Sequence, residues 1–334
     1  MEIRQIRRYT LTRYPIELIS HKLIKREVNI QDTIIISGTP RGGTTWFMEL
    51  LETLPKYKSI FEPLNKKWFS PVKKLNLPPR PYLEANAEND QLKKYLNLVF
   101  TGRIVSKAPR FSMNLRSIKK HIFATKILVK FIRANRPLPW IVNNFEIRAT
   151  YFLLRHPCAT IASQLETGTR GYFMPKFAPI PKEMVLKEAQ QIPIIRNNEW
   201  LMKKLNTITT QEEILAAIWS IDNYVPLSYL SSHQNAWYTG VYEKLITDFD
   251  EEIKKVFGYI GEEVPEEVYE RFKKPSTTTH DRSHLGTPKQ LLKWKKKLSE
   301  CQIKNMLKVV HWFGLDFYTE APEPDYGSIK DWKS

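Results

Sequence analysis

Short runs of apolar and β-branched residues punctuate the chain at Thr33–Ser37 (TIIIS), Arg103–Ser106 (RIVS), Lys126–Phe131 (KILVKF), Ala149–Leu154 (ATYFLL) and Trp237–Tyr242 (WYTGVY). Each has strand length and leads into turn residues or a helical pattern. A further short apolar strand is expected just before Glu62, in SIFEPLN (Ser59–Asn65). Continuous apolar runs such as TIIIS suit a parallel sheet covered on both faces. Helical spacing predicts helices over Thr45–Leu54, Pro157–Glu166, Glu212–Tyr224, Asp248–Tyr259 and Pro288–Phe313. The third is expected to stop before Pro226, because proline disfavours helix in the residue preceding it. Asp248, Asp250, Glu251 and Glu252 crowd the first turn of the fourth, where the helix dipole favours acids. The fifth reads as one long basic helix with proline in its first turn. Strand-then-helix alternation predicts an α/β fold, a three-layer sandwich with a mostly parallel central sheet.

With 334 residues, 42% of them hydrophobic, the chain can bury a sizeable core. It has no internal repeat, low-complexity tract or strong linker, so a single domain over 1–334 is expected. Within it, 1–30 reads as a basic N-terminal extension, 63–100 as an insertion or lid, and 288–314 as a long C-terminal helix. Pro63–Pro81, rich in proline and lysine, reads as an irregular loop.

The formal net charge of +17 points to anionic partners: phosphorylated nucleotides, nucleic acid, acidic glycans or a membrane surface. Two distant cysteines, Cys158 and Cys301, give neither a metal-site spacing nor a disulfide framework, so a reducing compartment is expected. Met1–Ser20 carries four arginines but no apolar run suited to a signal peptide. No stretch approaches the roughly 18–20 apolar residues of a spanning helix, so the expected location is the cytoplasm.

The most informative stretch is Thr33–Leu51, TIIISGTPRGGTTWFMELL. A strand runs through Gly38-Thr39-Pro40-Arg41-Gly42-Gly43-Thr44-Thr45 into a helix. Backbone N–H groups and the positive end of the helix dipole then converge on one point and favour an anion. Gly38, Gly43 and Thr45 match the P-loop spacing G-x-x-x-x-G-K-[ST], with Thr44 in place of the lysine. Loss of that lysine argues against a nucleotide kinase or ATPase. Arg41 supplies a cation inside the loop instead, suited to bidentate contact with phosphate or sulfate oxygens. A second segment, YFLLRHPCATIASQ (Tyr151–Gln164), places Arg155 just past a strand, where open α/β sheets bind ligands. Pro157 opens a helix there, and Ser163 lies two turns along it. His156 is expected to cap that helix.

Together, TPRGGTTW and LLRHPCATIAS resemble the 5′-phosphosulfate loop and the 3′-phosphate segment of sulfotransferases that use 3′-phosphoadenosine-5′-phosphosulfate. The resemblance extends more loosely from Thr33 to Phe317 and is nearer to bacterial and carbohydrate-type members than to cytosolic phenol-type ones. It implies a P-loop-NTPase-like sulfotransferase fold and transfer of a sulfuryl group to a hydroxyl or amine. It also implies that Arg41, Gly42, Gly43, Thr44 and Thr45 hold the 5′-phosphosulfate, that Trp46 stacks on adenine, and that Arg155 and Ser163 bind the 3′-phosphate. Core packing is the plainer reading of Trp46. Ser276–His284 takes the place of a cofactor-covering loop, from which Arg282 would join the 3′-phosphate; the family's arginine–lysine–glycine triplet is absent there. VYEKL (Val241–Leu245) resembles a strand end of the same family, with lysine replacing its acidic third residue.

Sulfuryl transfer resembles phosphoryl transfer, so positioned cations carry most of the stabilisation. Arg41 and Lys130 are the candidate cations. Lys130 stands where cytosolic members of the family place a lysine, followed two residues later by a histidine base; here that base position is Ile132. Glu62 is the candidate general base, in a segment similar to the Phe/Met-Glu-Pro of carbohydrate sulfotransferases; the alternative is a carboxylate paired with Arg41. Lys107 and Arg110, in SKAPR, are further cations after a strand, read either as contacts to donor or acceptor or as solvated surface charges. The chemistry needs no metal, and none is expected. The partners implied are the nucleotide donor and an unidentified acceptor (glycan, lipid or small molecule), with neither nucleic acid nor a transmembrane segment. Two rival readings remain: a P-loop nucleotide kinase, and a non-catalytic basic protein that binds nucleic acid or an anionic surface through clusters such as Lys293–Lys297.

Overall fold

Five strands pair side by side, all parallel: β1 (Ile34–Gly38), β2 (Tyr57–Phe61), β3 (Lys126–Phe131), β4 (Ala149–Leu154) and β5 (Tyr238–Val241), in the order β2-β3-β1-β4-β5. This is a computed structural model, and it describes residues 28–104, 123–167, 179–276 and 287–333. The register sets Ile36 beside Lys130 and Tyr151, Phe61 beside Lys130, and Leu154 beside Val241. Every strand therefore ends on the same edge. In an open parallel sheet that edge, at the carboxyl ends, is where ligands bind.

Alternation along the strands divides the core between two faces. Ile34 and Ile36 of β1, with Tyr151 and Leu153 of β4, pack with α1 (Thr44–Leu51). Ile35, Val129 and Phe131 point the other way, against α2 (Asp90–Phe100). Phe152 and Leu154 face a larger cluster that includes α3 (Pro157–Thr167), α4 (Lys182–Gln190) and α5 (Gln211–Ser232). The three isoleucines of β1 are wholly buried, each contributing about 1.5–3 kcal/mol relative to exposure. The expected three-layer α/β sandwich is the observed architecture. The helices α6 (Phe249–Gly258), α7 (Glu266–Phe272) and α8 (Glu300–His311) complete the frame.

Three expectations about elements need correction. α5 does not stop before Pro226 but runs through it to Ser232. Proline within a helix removes one backbone hydrogen bond and costs about 3 kcal/mol or more. Burial of Ile214, Leu215, Ile218, Trp219, Ile221, Val225 and Leu227 in one cluster offsets that cost. The single helix expected over 288–313 is instead a 3₁₀ segment, Pro288–Lys296, followed by α8. Ser299 starts α8 with a capping box closed by Gln302, satisfying donors that a continuous helix would not leave exposed. Arg103 and Ile104 are not in a strand, and the rest of that expected run lies outside the described residues.

The 63–100 segment holds a short helix, Ser70–Lys74, within its proline-rich part. Its second half forms α2, whose Leu92, Tyr95, Leu96, Val99 and Phe100 are core residues. Cys158 is buried and Cys301 exposed, and neither is bonded to the other. Among the described residues no helix is long and apolar enough to cross a membrane.

Candidate active site

The end of each strand contributes a side chain to one edge of the sheet. β1 leads into the loop that carries Arg41, and Gly43 caps α1 with a left-handed φ of 88°. A Cβ on Gly43 would come within 2.5 Å of the Tyr242 ring, so glycine is required there by packing as well as by backbone. A Cβ on Gly42 would meet the Thr39 carbonyl oxygen at 2.8 Å. The loop closes on itself through Gly42 N–H donating to the Thr39 carbonyl at 2.9 Å. The N–H groups of Thr44, Thr45 and Trp46 belong to the first turn of α1, which no carbonyl of that helix can reach. Arg41 also takes a left-handed backbone, φ 68°, uncommon for a side-chain-bearing residue.

Two direct hydrogen bonds join the two candidate segments. Arg41 Nε donates to Ser163 Oγ at 2.9 Å. An Arg155 terminal nitrogen donates to the Arg41 carbonyl at 3.0 Å. The Arg155 guanidinium lies 4.2 Å from the Tyr242 ring centroid, a cation–π contact that orients it. Its Nε is buried and has no hydrogen-bond partner among the described residues. That orphaned donor, with the N-terminal turn of α1 nearby, fits an anion.

Trp46 is almost wholly buried, edge-on to Tyr242 and tilted against Phe272. Its packing role is real; a stacking role would use the ring surface left beside these neighbours. Arg282, Lys107, Arg110 and most of Ser276–His284 lie outside the described residues.

Glu62 stands at the end of β2 with a positive φ of 53°. Its partner is not Arg41, as one reading anticipated. Lys130 Nζ lies 2.5 Å from Glu62 Oε1, an ion contact off ideal hydrogen-bond geometry, and Arg133 lies 3.6 Å from Oε2. The Ile132 N–H donates to Oε2 at 3.1 Å. The carboxylate that follows β2 thus meets the backbone of Ile132, two residues past Lys130. Both Glu62 and Lys130 are buried. Burial pushes the Lys130 ammonium below its ordinary pKa, and the Glu62 carboxylate opposes that shift.

Behind Arg155, His156 caps α3 as expected: its Nδ1 accepts the Cys158 N–H at 3.1 Å and its carbonyl accepts Thr160 N–H. The ring stacks on Trp294 at 4.7 Å, and Nε2 donates to the Thr319 carbonyl at 2.9 Å. Burial lowers its pKa to about 4, so the neutral ring persists. Glu243, one residue past Tyr242, accepts the His156 backbone N–H at 2.9 Å. Burial raises its pKa to about 7, with that hydrogen bond and Arg155 pulling it back. Glu243 sat in VYEKL without a role, and only the fold places it under Arg155.

Sequence reasoning also missed a buried charge quartet. Arg136 bridges Asp222 at 2.6 Å and Glu188 at 2.8 Å, and Arg80 approaches both. The available signal was Asp222 itself, a carboxylate inside the apolar run ILAAIWSIDNY. Lys295, Lys296 and Lys297 are exposed, as expected of a solvated helix face.

No family model matches the chain, and no curated protein matches it. Among solved structures, it is similar to the sulfotransferase domain from the Synechococcus PCC 7002 olefin synthase, 14% identical, at a TM-score of 0.41. That alignment covers 84% of this chain and 94% of the other. A sulfotransferase domain from the curacin biosynthetic pathway is 12% identical at a TM-score of 0.45, covering 86% and 97%. Mouse sulfotransferase SULT7A1, solved complexed with PAP, is 12% identical at a TM-score of 0.40, covering 86% and 85%. At such identities and scores these likenesses carry no argument about chemistry.

Proposed function

We propose that the chain is a sulfotransferase that takes a sulfuryl group from 3′-phosphoadenosine-5′-phosphosulfate and places it on an acceptor hydroxyl or amine. The observation that carries this reading is the joining of two anion-binding segments, Arg41 to Ser163 and Arg155 to the Arg41 carbonyl, at one sheet edge. A single nucleotide with phosphates at both ends needs two cation clusters a short distance apart; ATP needs only one.

When bound, the donor supplies the sulfuryl group and a phosphate leaving group. Arg41 and the first turn of α1 would hold the 5′ end, and Arg155 with Ser163 the 3′-phosphate. Trp46 would border the adenine. Lys130 would stabilise charge building on the leaving and equatorial oxygens. The sulfur–oxygen bond to the phosphate breaks as the bond to the acceptor oxygen or nitrogen forms, and Glu62 takes the acceptor's proton. A glycan acceptor suits the basic surface, and a cytoplasmic location suits the free cysteines.

Binding tests the reading. Adenosine 3′,5′-bisphosphate is expected to raise Tm by several degrees at a hundred times its Kd, a stabilisation of about 2.7 kcal/mol, whereas ATP with Mg²⁺ raises it far less. Arg155→Ala should erase that preference. Equal stabilisation by both nucleotides would point to the kinase reading instead.

A further inference from the structure

Beside the phosphate loop, on the side facing α5, lies a narrow crevice lined by Thr39, Pro40, Arg80, Gln164 and, from α5, Ile218, Trp219 and Asp222. It has room for a group the size of a hydroxyl rather than a ring. Two buried polar atoms of its lining residues, Thr39 Oγ1 and Trp219 Nε1, have no hydrogen-bond partner among the described residues. Thr39 and Trp219 are only 2% and 1% exposed. Buried polar groups of folded proteins are almost always satisfied, so two such atoms on residues that line one crevice call for a partner.

Asp222 brings a carboxylate whose charge is already spoken for by Arg136 and Arg80. With Glu188, the quartet holds two cations and two anions and is formally neutral. Such a buried quartet is a weak stabilising device, because desolvation consumes most of its Coulomb energy. Its place against the phosphate loop therefore asks for a role beyond stability. A neutral site rich in both donors and acceptors suits a hydroxyl, which gives one proton and accepts another. A carboxylate would face Asp222, and an ammonium would face Arg80 and the indole N–H. Pro40, Ile218 and the indole ring offer apolar surface to C–H groups.

We infer that this crevice is an acceptor subsite for a hydroxyl or hydroxymethyl arm of a neutral sugar, which donates to Asp222 and accepts from Trp219 Nε1. The assignment of this arm to an acceptor rests on the sulfuryl-transfer reading; the binding itself does not.

The probes are cellobiose, 4-nitrophenol and phenethylamine, titrated by ligand-observed NMR with and without adenosine 3′,5′-bisphosphate. Cellobiose is expected to bind, with Kd rising at least tenfold in Trp219→Phe and in Asp222→Asn, while the nucleotide Kd moves less than twofold. Trp219→Phe removes the indole N–H and leaves the quartet intact, so it serves if Asp222→Asn fails to fold. Binding of nitrophenol or phenethylamine alone, or a cellobiose Kd unmoved by Trp219→Phe, overturns the subsite. If cellobiose binds through these residues but the bisphosphate does not bind, the subsite stands and the donor assignment falls.

Discussion

The ring of Tyr242 carries the Arg155 guanidinium at 4.2 Å from its centroid. The same ring occupies the space that a Cβ on Gly43 would need, and it meets Trp46 edge-on. One side chain from the end of β5 thus packs between the loop before α1 and the segment after β4.

Removing that ring should loosen Arg155. Tyr242→Leu is expected to weaken adenosine 3′,5′-bisphosphate binding about tenfold, consistent with a desolvated cation–π contact of about 1–2 kcal/mol. Tyr242→Phe keeps the aromatic face and should stay within about threefold of the original protein. Titration calorimetry reads both, and equal losses in the two variants would show that the ring face does not hold Arg155.

Gly43→Ala meets two separate penalties. A left-handed φ costs a side-chain-bearing residue about 1–2 kcal/mol, and the Cβ would collide with Tyr242 at 2.5 Å. Combining it with Tyr242→Leu should recover part of the lost stability but not the backbone share. Urea unfolding of the single and double variants measures the difference, and strict additivity would contradict the collision.

The Glu62–Lys130 pair should show asymmetric costs. Lys130→Met leaves a buried carboxylate with Arg133 and one N–H as support, and a loss of about 3–5 kcal/mol is expected. Glu62→Leu with Lys130→Met restores most of that stability while abolishing transfer. Glu62→Gln should slow transfer and leave nucleotide binding largely intact. Unchanged turnover in Glu62→Gln would remove Glu62 as the base.

Glu243 and His156 should act in opposite directions on pH stability. The Glu243 pKa is raised from 4.5 to about 7, so its contribution is full below about pH 4.5 and is lost as pH rises through 7. The His156 pKa is lowered from 6.5 to about 4, so its contribution is full above about pH 6.5 and is lost as pH falls through 4. Between roughly pH 4.5 and 6.5 the two slopes offset each other. Glu243→Gln should therefore unmask a rise of stability with pH across that window and a gain at pH 8. Denaturant titrations from pH 4 to 8 follow it, and an unaltered slope would refute the assignment.

The chain's own pattern determined the layers. Short apolar runs announced β1, β3, β4 and β5, and the glycine-bracketed loop before α1 was legible because Gly42 and Gly43 stand where a Cβ would collide. The positions of Arg155 past β4 and Ser163 along α3, and the capping role of His156, were also readable, since each follows from a place relative to a strand or helix end. Where local signals compete with distant packing, they misled: Pro226 marks a stop until the buried face of α5 outweighs it, and the basic run after Pro288 hides the cap at Ser299. The partner of Glu62, the placing of Glu243 beneath Arg155 and the Arg80–Arg136–Glu188–Asp222 quartet needed the tertiary structure. Members of the quartet lie from 34 positions apart (Glu188 and Asp222) to 142 (Arg80 and Asp222) along the chain. No periodicity or spacing links such residues; the parallel sheet joins them by ending every strand on one edge.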